Sequence, residues 1–480
     1  MLVSQEEEKM WTRNASIGAL TVLTALGLHT TPVMAEPQAG SDVSKTNTND
    51  FKANKNKNDS GYHVDGYSGY HVNRYDVHVS YTPQGTKLTG DTTIELTARA
   101  DLRELSFTLV LPAQSVEIDG TPAKSFTSSD QALTVVPAKS IGSGETARIR
   151  IRYAGDPGKE SPAWVPTEDG GAVAVTGASA GTWFPTNTDV SDSANLRVSA
   201  SVPPGWVAVS NGLEQPPRQG NDSTTFRWQT TEPLRSNAAV LGVGKWDVER
   251  SRLDDGTQVV NVFGAGLKEK AEPMTERLPE VMAYEREKFG AYPYASVGAV
   301  VVEAAGEDVP NYAGQGRVVL MAGNGGLRTD VLVHELAHQW YGNSVGAADM
   351  CADECVPSYT QWLWLEHAQG QDTDAKYRDR IEKTEEDEDW WKKHETSAMG
   401  AYDRGPLALH ALRRTIGDTA FSQVIRQWPQ RYAGTSRSWD DFEKLTEEIS
   451  GQDLGGFFQA WFRGDTVPED AYLWPGDLRP

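Results

Sequence analysis

Cysteine is nearly absent: Cys351 and Cys355 are the only two in 480 residues. No disulfide framework can hold this fold, so any bridge is local. Four residues apart on a helix, the pair lies near the outer limit of disulfide geometry, and export would let it oxidise. Thiolate metal ligands are the other reading of the same pair. Positive charge is short too, with 45 Lys and Arg against 67 Asp and Glu, a formal net charge of −22. Such a surface repels a phosphate backbone, which excludes nucleic acid as a partner. Apolar runs of membrane-spanning length are also missing. Residues 15–28, "ASIGALTVLTALGL", fall short of the ~20 that a span requires.

That short run has the length of a secretory core instead, and "TTPVMA" after it places small residues at Val33 and Ala35. An export signal over 1–35 and a secreted mature chain without a membrane span are expected. The leading "MLVSQEEEK" has the wrong charge for a signal, whereas "MWTRN" is short and positive, so Met10 is the expected start. Residues 36–70 are mostly Ser, Asn, Lys, Asp and Gly, the composition of a disordered linker. "GYHV" occurs twice beside it, at 61–64 and 69–72. His63 and His71 in that duplication lack supporting ligands and are expected to be inert.

From 71 to 249 the chain alternates with period two, as in "RYDVHVSY", "GDTTIELTA" and "ARIRIRY". Strands broken by Gly, Pro and Asp turns, with no helical run between them, predict an antiparallel β-sandwich or saddle-shaped sheet. From 250 to 480 the texture is mixed α and β. "KEKAEPMTERLPEVMAYEREKFG" has helical spacing, "AVVVE" reads as a buried strand, and the chain ends in helices such as "DDFEKLTEEIS". "TDVLVHELAHQWYG" begins with Thr329 or Asp330 as its expected N-cap. An α+β multidomain protein follows. The acidic run at 382–391 reads as a solvated helix face.

"HELAH" at 334–338 carries the chemistry. Residues four apart on a helix lie one above the other, so His334 and His338 aim both imidazoles at one point. Zinc takes neutral nitrogens at about 2.0–2.1 Å and keeps a position open for water in catalytic sites. Glu335, next to the first histidine, is then free to act as general base. A third ligand is needed.

"HELAHQWYGNSV" resembles the zinc metallopeptidases of the aminopeptidase N family, the gluzincins, and "MCADEC" is similar to their secreted bacterial branch. "TWFP" (182–185), "FGAYPY" (289–294) and "YDRGPLALHALRRTIGD" (402–418) extend the likeness over most of the mature chain. The resemblance implies a thermolysin-like catalytic domain over 250–480 with a helical C-terminal part, and one Zn2+ ion. It implies His334, His338 and Glu354 as ligands, Glu335 as base, and Tyr402 as hydrogen-bond donor to the oxyanion, with Arg404 in place of the family's lysine. Peptides would be the substrates, hydrolysed in the manner of an aminopeptidase.

The chain departs from that pattern at four places. Fifteen residues separate His338 from Glu354, where the family has eighteen. Pro357 stands three residues after Glu354; because proline suits a helix's first turn, the helix is expected to begin near Val356 and leave Glu354 on the loop side. "NYAGQGRVV" (311–319) lacks the family's amine-binding glutamate, for which Glu303 and Glu307 are the nearby substitutes, out of register. No Gln or Glu precedes "GASAGTWFP" as a second anchor. The alternative is therefore a degenerate, weak or inactive homologue that binds peptides without an intact zinc site. A third reading keeps the zinc but gives an endopeptidase or esterase.

Overall fold

The computed structural model describes residues 68–479 apart from 130, 175–179, 307–308, 385–388 and 394–397. The expected signal, His63 and Glu307 lie outside the described residues, as does the linker up to residue 67. Among the described residues no helix is long and apolar enough to cross a membrane.

Strands β1 (Tyr70–Thr82), β2 (Lys87–Ala98), β3 (Thr146–Gly155), β4 (Ser193–Val202) and β5 (Thr224–Gln229) form the centre of a nine-stranded sheet, in the order β5-β4-β1-β2-β3. Alternation decides its faces. In β3, Ile149 and Ile151 are fully buried while Arg148, Arg150 and Arg152 face outward, with Arg150 forked onto Asp91. The inward side chains share one core with two four-stranded sheets, and Trp183 and Phe184 of "TWFP" lie in it. Adjacent strands in this set are antiparallel except β1 and β4, which are parallel with Tyr75 opposite Leu196. Parallel neighbours need a long connection, and the whole stretch between β1 and β4 supplies it. His71 is occupied structurally, its Nδ1 lying 2.6 Å from Asp192.

A second sheet runs β6-β7-β8-β10-β9, from β6 (Asp247–Arg252), β7 (Gln258–Phe263), β8 (Ala299–Val302), β9 (Tyr312–Gly314) and β10 (Arg317–Met321). β7, β8 and β10 are parallel, and β9 is an antiparallel edge. Every residue of β8 is buried: Val300 and Val302 pack into the β-domain core, Ala299 and Val301 into the helical one. Covered on both faces, such a strand is continuously apolar.

Among the described residues, eight longer helices surround that second core: α1 (Lys268–Thr275), α2 (Leu278–Phe289), α3 (Thr329–Ala337), α4 (Met350–Gln369), α5 (Thr373–Thr384), α6 (Ala398–Ile416), α7 (Asp418–Tyr432) and α8 (Trp439–Ser450). Two expectations are corrected. Thr329 and Asp330 are not caps; they open the first turn of α3, where Asp330 accepts a forked pair of hydrogen bonds from Arg328. More important for the site, α4 begins at Met350, not near Val356, so Pro357 sits inside the helix and Glu354 in its second turn. Proline there removes one hydrogen bond, to the carbonyl of Asp353. The early start is secured by Asp349, the N-cap, whose Oδ1 accepts the Ala352 N–H at 3.0 Å and whose Oδ2 accepts the N–H of Trp439, first residue of α8, at 2.7 Å. The two cysteines form a disulfide across that turn, with Cα atoms 4.8 Å apart.

His410 joins three of these helices. On α6 and fully buried, it accepts from the Tyr359 hydroxyl at Nδ1 (2.9 Å) and donates from Nε2 to Asp374 (2.8 Å). A neutral ring satisfies both bonds. Burial outweighs Asp374 and lowers its pKa to about 4, against about 6.5 in an unfolded chain. Because the folded value is the lower one, the unfolded chain binds this proton first. Stability present above about pH 6.5 is lost as the pH falls towards 4, by roughly 3 kcal/mol. His410→Gln should reduce the loss of stability between pH 7 and pH 4.5, measured by denaturant unfolding at each pH. An unchanged pH dependence counts against this assignment.

Candidate metal centre

α3 supplies the first two groups. Leu332, Val333 and Leu336 bury its apolar side, leaving His334, Glu335 and His338 nearly buried, at 8%, 7% and 6% exposure, where α3 meets α4. Aromatic residues hold the end of α3 in place. Phe289 and Tyr292 of "FGAYPY" pack on Trp340, whose indole donates to the Ala291 carbonyl at 3.0 Å, and the Tyr341 hydroxyl donates to the Ile425 carbonyl at 2.7 Å. Gln339 bonds Gly314 and Gly316, pinning the β9–β10 turn to the same point.

α4 brings the third group. Glu354 Oε2 lies 3.2 Å from His334 Nε2 and 3.3 Å from His338 Nε2, and the two nitrogens are 3.2 Å apart. A tetrahedral ion with bonds of about 2.0–2.1 Å separates its ligands by about 3.3–3.4 Å. The triangle therefore has the size of one face of a zinc site. Its electronic arrangement fits as well. His338 Nδ1 faces the Tyr341 carbonyl at 3.2 Å and Asp353 Oδ1 at 3.5 Å, which places the ring proton there and the Nε2 lone pair towards Glu354. Oε2 of Glu354 is buried and meets no donor in hydrogen-bonding geometry. Converging lone pairs in a buried place call for a cation.

The groups at this point also perturb one another's protonation. Burial alone would raise Glu354, but the charge of His338 prevails and holds its carboxyl well below the usual range. Burial would lower His338, but the carboxylates of Glu354 and Asp353 raise it. Glu335 is raised, by burial first and by the carboxylates of Glu354 and Asp353, against the two imidazoles. Tyr402, on α6, has its ring 6.0 Å from that of His334 and lies close enough to Glu354 to be perturbed by it. Burial and then Glu354 raise it well above the ordinary phenol value, so its hydroxyl keeps its proton.

All five candidate residues thus meet at one place. Others do not. The guanidinium of Arg404 is buried over the Trp391 ring and donates to the carbonyls of Ala460 (2.7 Å) and Gly464 (2.8 Å). It fastens α6 to the C-terminal segment. Glu303 is exposed, and its carbonyl accepts the Glu168 N–H at 2.9 Å. Sequence reasoning missed Asp349 and Arg235. Asp349 was legible as a capping residue before "MCA". Arg235 reaches from the β domain to the carbonyls of Asn343 (2.8 Å) and Thr435 (2.9 Å), beside the end of α3. No local pattern marks a contact between residues so far apart in sequence.

A β domain followed by an α/β domain, with a His-x-x-x-His helix and a carboxylate from the next helix, defines a gluzincin-type zinc metallopeptidase scaffold. Residues 324–461 match the Peptidase family M1 domain. The M1 zinc metallopeptidase of Deinococcus radiodurans superposes with a TM-score of 0.73 at 25% identity, over 84% of this chain and 95% of that one. A mutant of a two-domain M1 zinc metallopeptidase, bound to L-arginine, superposes with a TM-score of 0.73 at 25% identity, over 84% of this chain and 96% of that one. The chain is similar to Probable aminopeptidase 2 of Sulfurisphaera tokodaii (21% identity, 57% of this chain, 39% of the relative). It is also similar to Aminopeptidase N of Lactococcus lactis subsp. lactis (25%, 40% and 23%). It spans about two fifths or less of the length of these curated relatives. The likeness to M1 zinc metallopeptidases thus covers the helices that carry the candidate ligands and, in the superposed structures, most of the described fold.

Proposed function

We propose that this protein is a secreted zinc-dependent peptidase of aminopeptidase type, in which His334, His338 and Glu354 hold one zinc ion. The triangle of ligand atoms, with edges of 3.2 to 3.3 Å, carries the reading. A zinc ion held by these three residues would supply Lewis-acid polarisation of the scissile carbonyl and would lower the pKa of the attacking water. Glu335 takes the proton from that water and returns it to the leaving amine. The Tyr402 hydroxyl donates a hydrogen bond to the oxyanion of the tetrahedral intermediate. Peptides as substrates are supported by the likeness to M1 zinc metallopeptidases, one of which is bound to the amino acid L-arginine. The division assumed is a β domain over 71–249 and a peptidase domain over 250–480. Export rests on the signal expected over 1–35, outside the described residues.

The degenerate-homologue alternative depended on Glu354 falling short of the histidines, and the early start of α4 removes that premise. The discriminating experiment is metal analysis of purified protein, joined to hydrolysis of aminoacyl arylamides and of their amino-blocked counterparts. About one zinc per chain with cleavage of the free-amine substrates is expected. Glu354→Ala should reduce the zinc content well below one per chain while the circular dichroism spectrum stays unchanged. A wild-type chain without zinc after reconstitution overturns the reading; equal cleavage of blocked substrates replaces exopeptidase with endopeptidase action.

A further inference from the structure

Position 353, immediately before the third ligand, holds an aspartate where the resembled family has asparagine. We propose that Asp353 is a positioning residue for the metal centre: its carboxylate shares the Nδ1 proton of His338, fixes the ring's orientation, and strengthens Nε2 as a zinc donor. This rests on the zinc-site reading above.

Three observations support it. Asp353 Oδ1 lies 3.5 Å from His338 Nδ1, and the Tyr341 carbonyl lies 3.2 Å from the same nitrogen, so the ring N–H is bonded to the carbonyl with a charged acceptor beside it. The loop after α3 is shaped around that carboxylate: Gly342 has a φ of +99°, and a Cβ there would stand 2.1 Å from Asp353 Oδ1. Any larger residue at 342 would evict the oxygen. Finally, Asp353 and Glu354 are adjacent on one turn of α4, bracketed by the Cys351–Cys355 bridge and capped by Asp349. One rigid turn thus delivers a ligand to the metal and a hydrogen-bond acceptor to the neighbouring ligand. Carboxylate partners of this kind fix the tautomer of a metal-bound histidine and raise its basicity.

The competing explanation is that Asp353 is merely a first-turn acid favoured by the helix dipole. Asp353→Asn separates the two, because it keeps the shape and one acceptor but removes the charge. Zinc affinity would be measured by competition with a chromophoric chelator, alongside the melting temperature of the metal-free protein. Affinity is expected to fall 10–100-fold, with the metal-free melting temperature unchanged. Gly342→Ala should weaken zinc binding in the same range, and the double variant should be little worse than either single one. Affinity within twofold of wild type in Asp353→Asn, or a loss that tracks a lower metal-free melting temperature, overturns the proposal and leaves the zinc site standing. Should His338→Ala bind zinc as the wild type does, the site reading fails and the proposal with it.

Discussion

Glu335→Gln is expected to lower kcat for peptide hydrolysis by about 10²–10⁴-fold, the usual contribution of a general base, while zinc content stays at the wild-type level. The two effects separate because Glu335 is not one of the three atoms in the ligand triangle. The substitution keeps the size of the side chain and removes only its capacity to accept a proton. Burial, first, and the nearby carboxylates raise the pKa of Glu335 above the ordinary value. A base poised closer to the working pH gains in proton-transfer efficiency. Two readouts therefore test the role, turnover and metal content on the same preparation. If turnover fell only a few-fold, another group would be taking the proton; if zinc were lost as well, Glu335 would be supporting the ligands.

What the sequence made legible follows from how local each signal is. The alternation of "ARIRIRY" and the i, i+4 histidines of "HELAH" are dictated by one element each, and the structure places those side chains accordingly. Glu354 was found only through a resemblance, and its expected surroundings were wrong. Pro357 is a strong local signal for a helix start. It was outweighed by a cap that bonds two helices 90 residues apart in sequence, Asp349 to Ala352 and to Trp439. Buried side chains on the apolar faces of α4, including Val356, Tyr359 and Trp364, hold the helix through the proline. The parallel pairing of β1 with β4 and the reach of Arg235 across the domain boundary are likewise tertiary facts. A single strand or residue carries no trace of its partner. The metal centre was thus readable where it is helical and local, and hidden where a distant side chain fixes the start of an element.

Tyr402→Phe should lower kcat by about 10²–10³-fold, as the loss of one oxyanion donor does elsewhere, with KM and zinc affinity little changed. The side chain approaches the site from α6, with its ring 6.0 Å from that of His334 and Glu354 near enough to perturb its hydroxyl. That proximity to a ligand carboxylate defines the competing role, in which Tyr402 only steadies Glu354. Phenylalanine retains the ring and its packing, so the two roles leave different traces. A donor to the oxyanion acts on charge that develops in the transition state, and its loss reduces kcat and kcat/KM together. A residue that steadies a ligand would instead lower zinc affinity, and excess zinc would restore the rate. Rescue of Tyr402→Phe by added zinc would therefore remove Tyr402 from the reaction and leave it a support of the third ligand, whereas a rate that stays low at saturating zinc assigns its hydroxyl to the oxyanion.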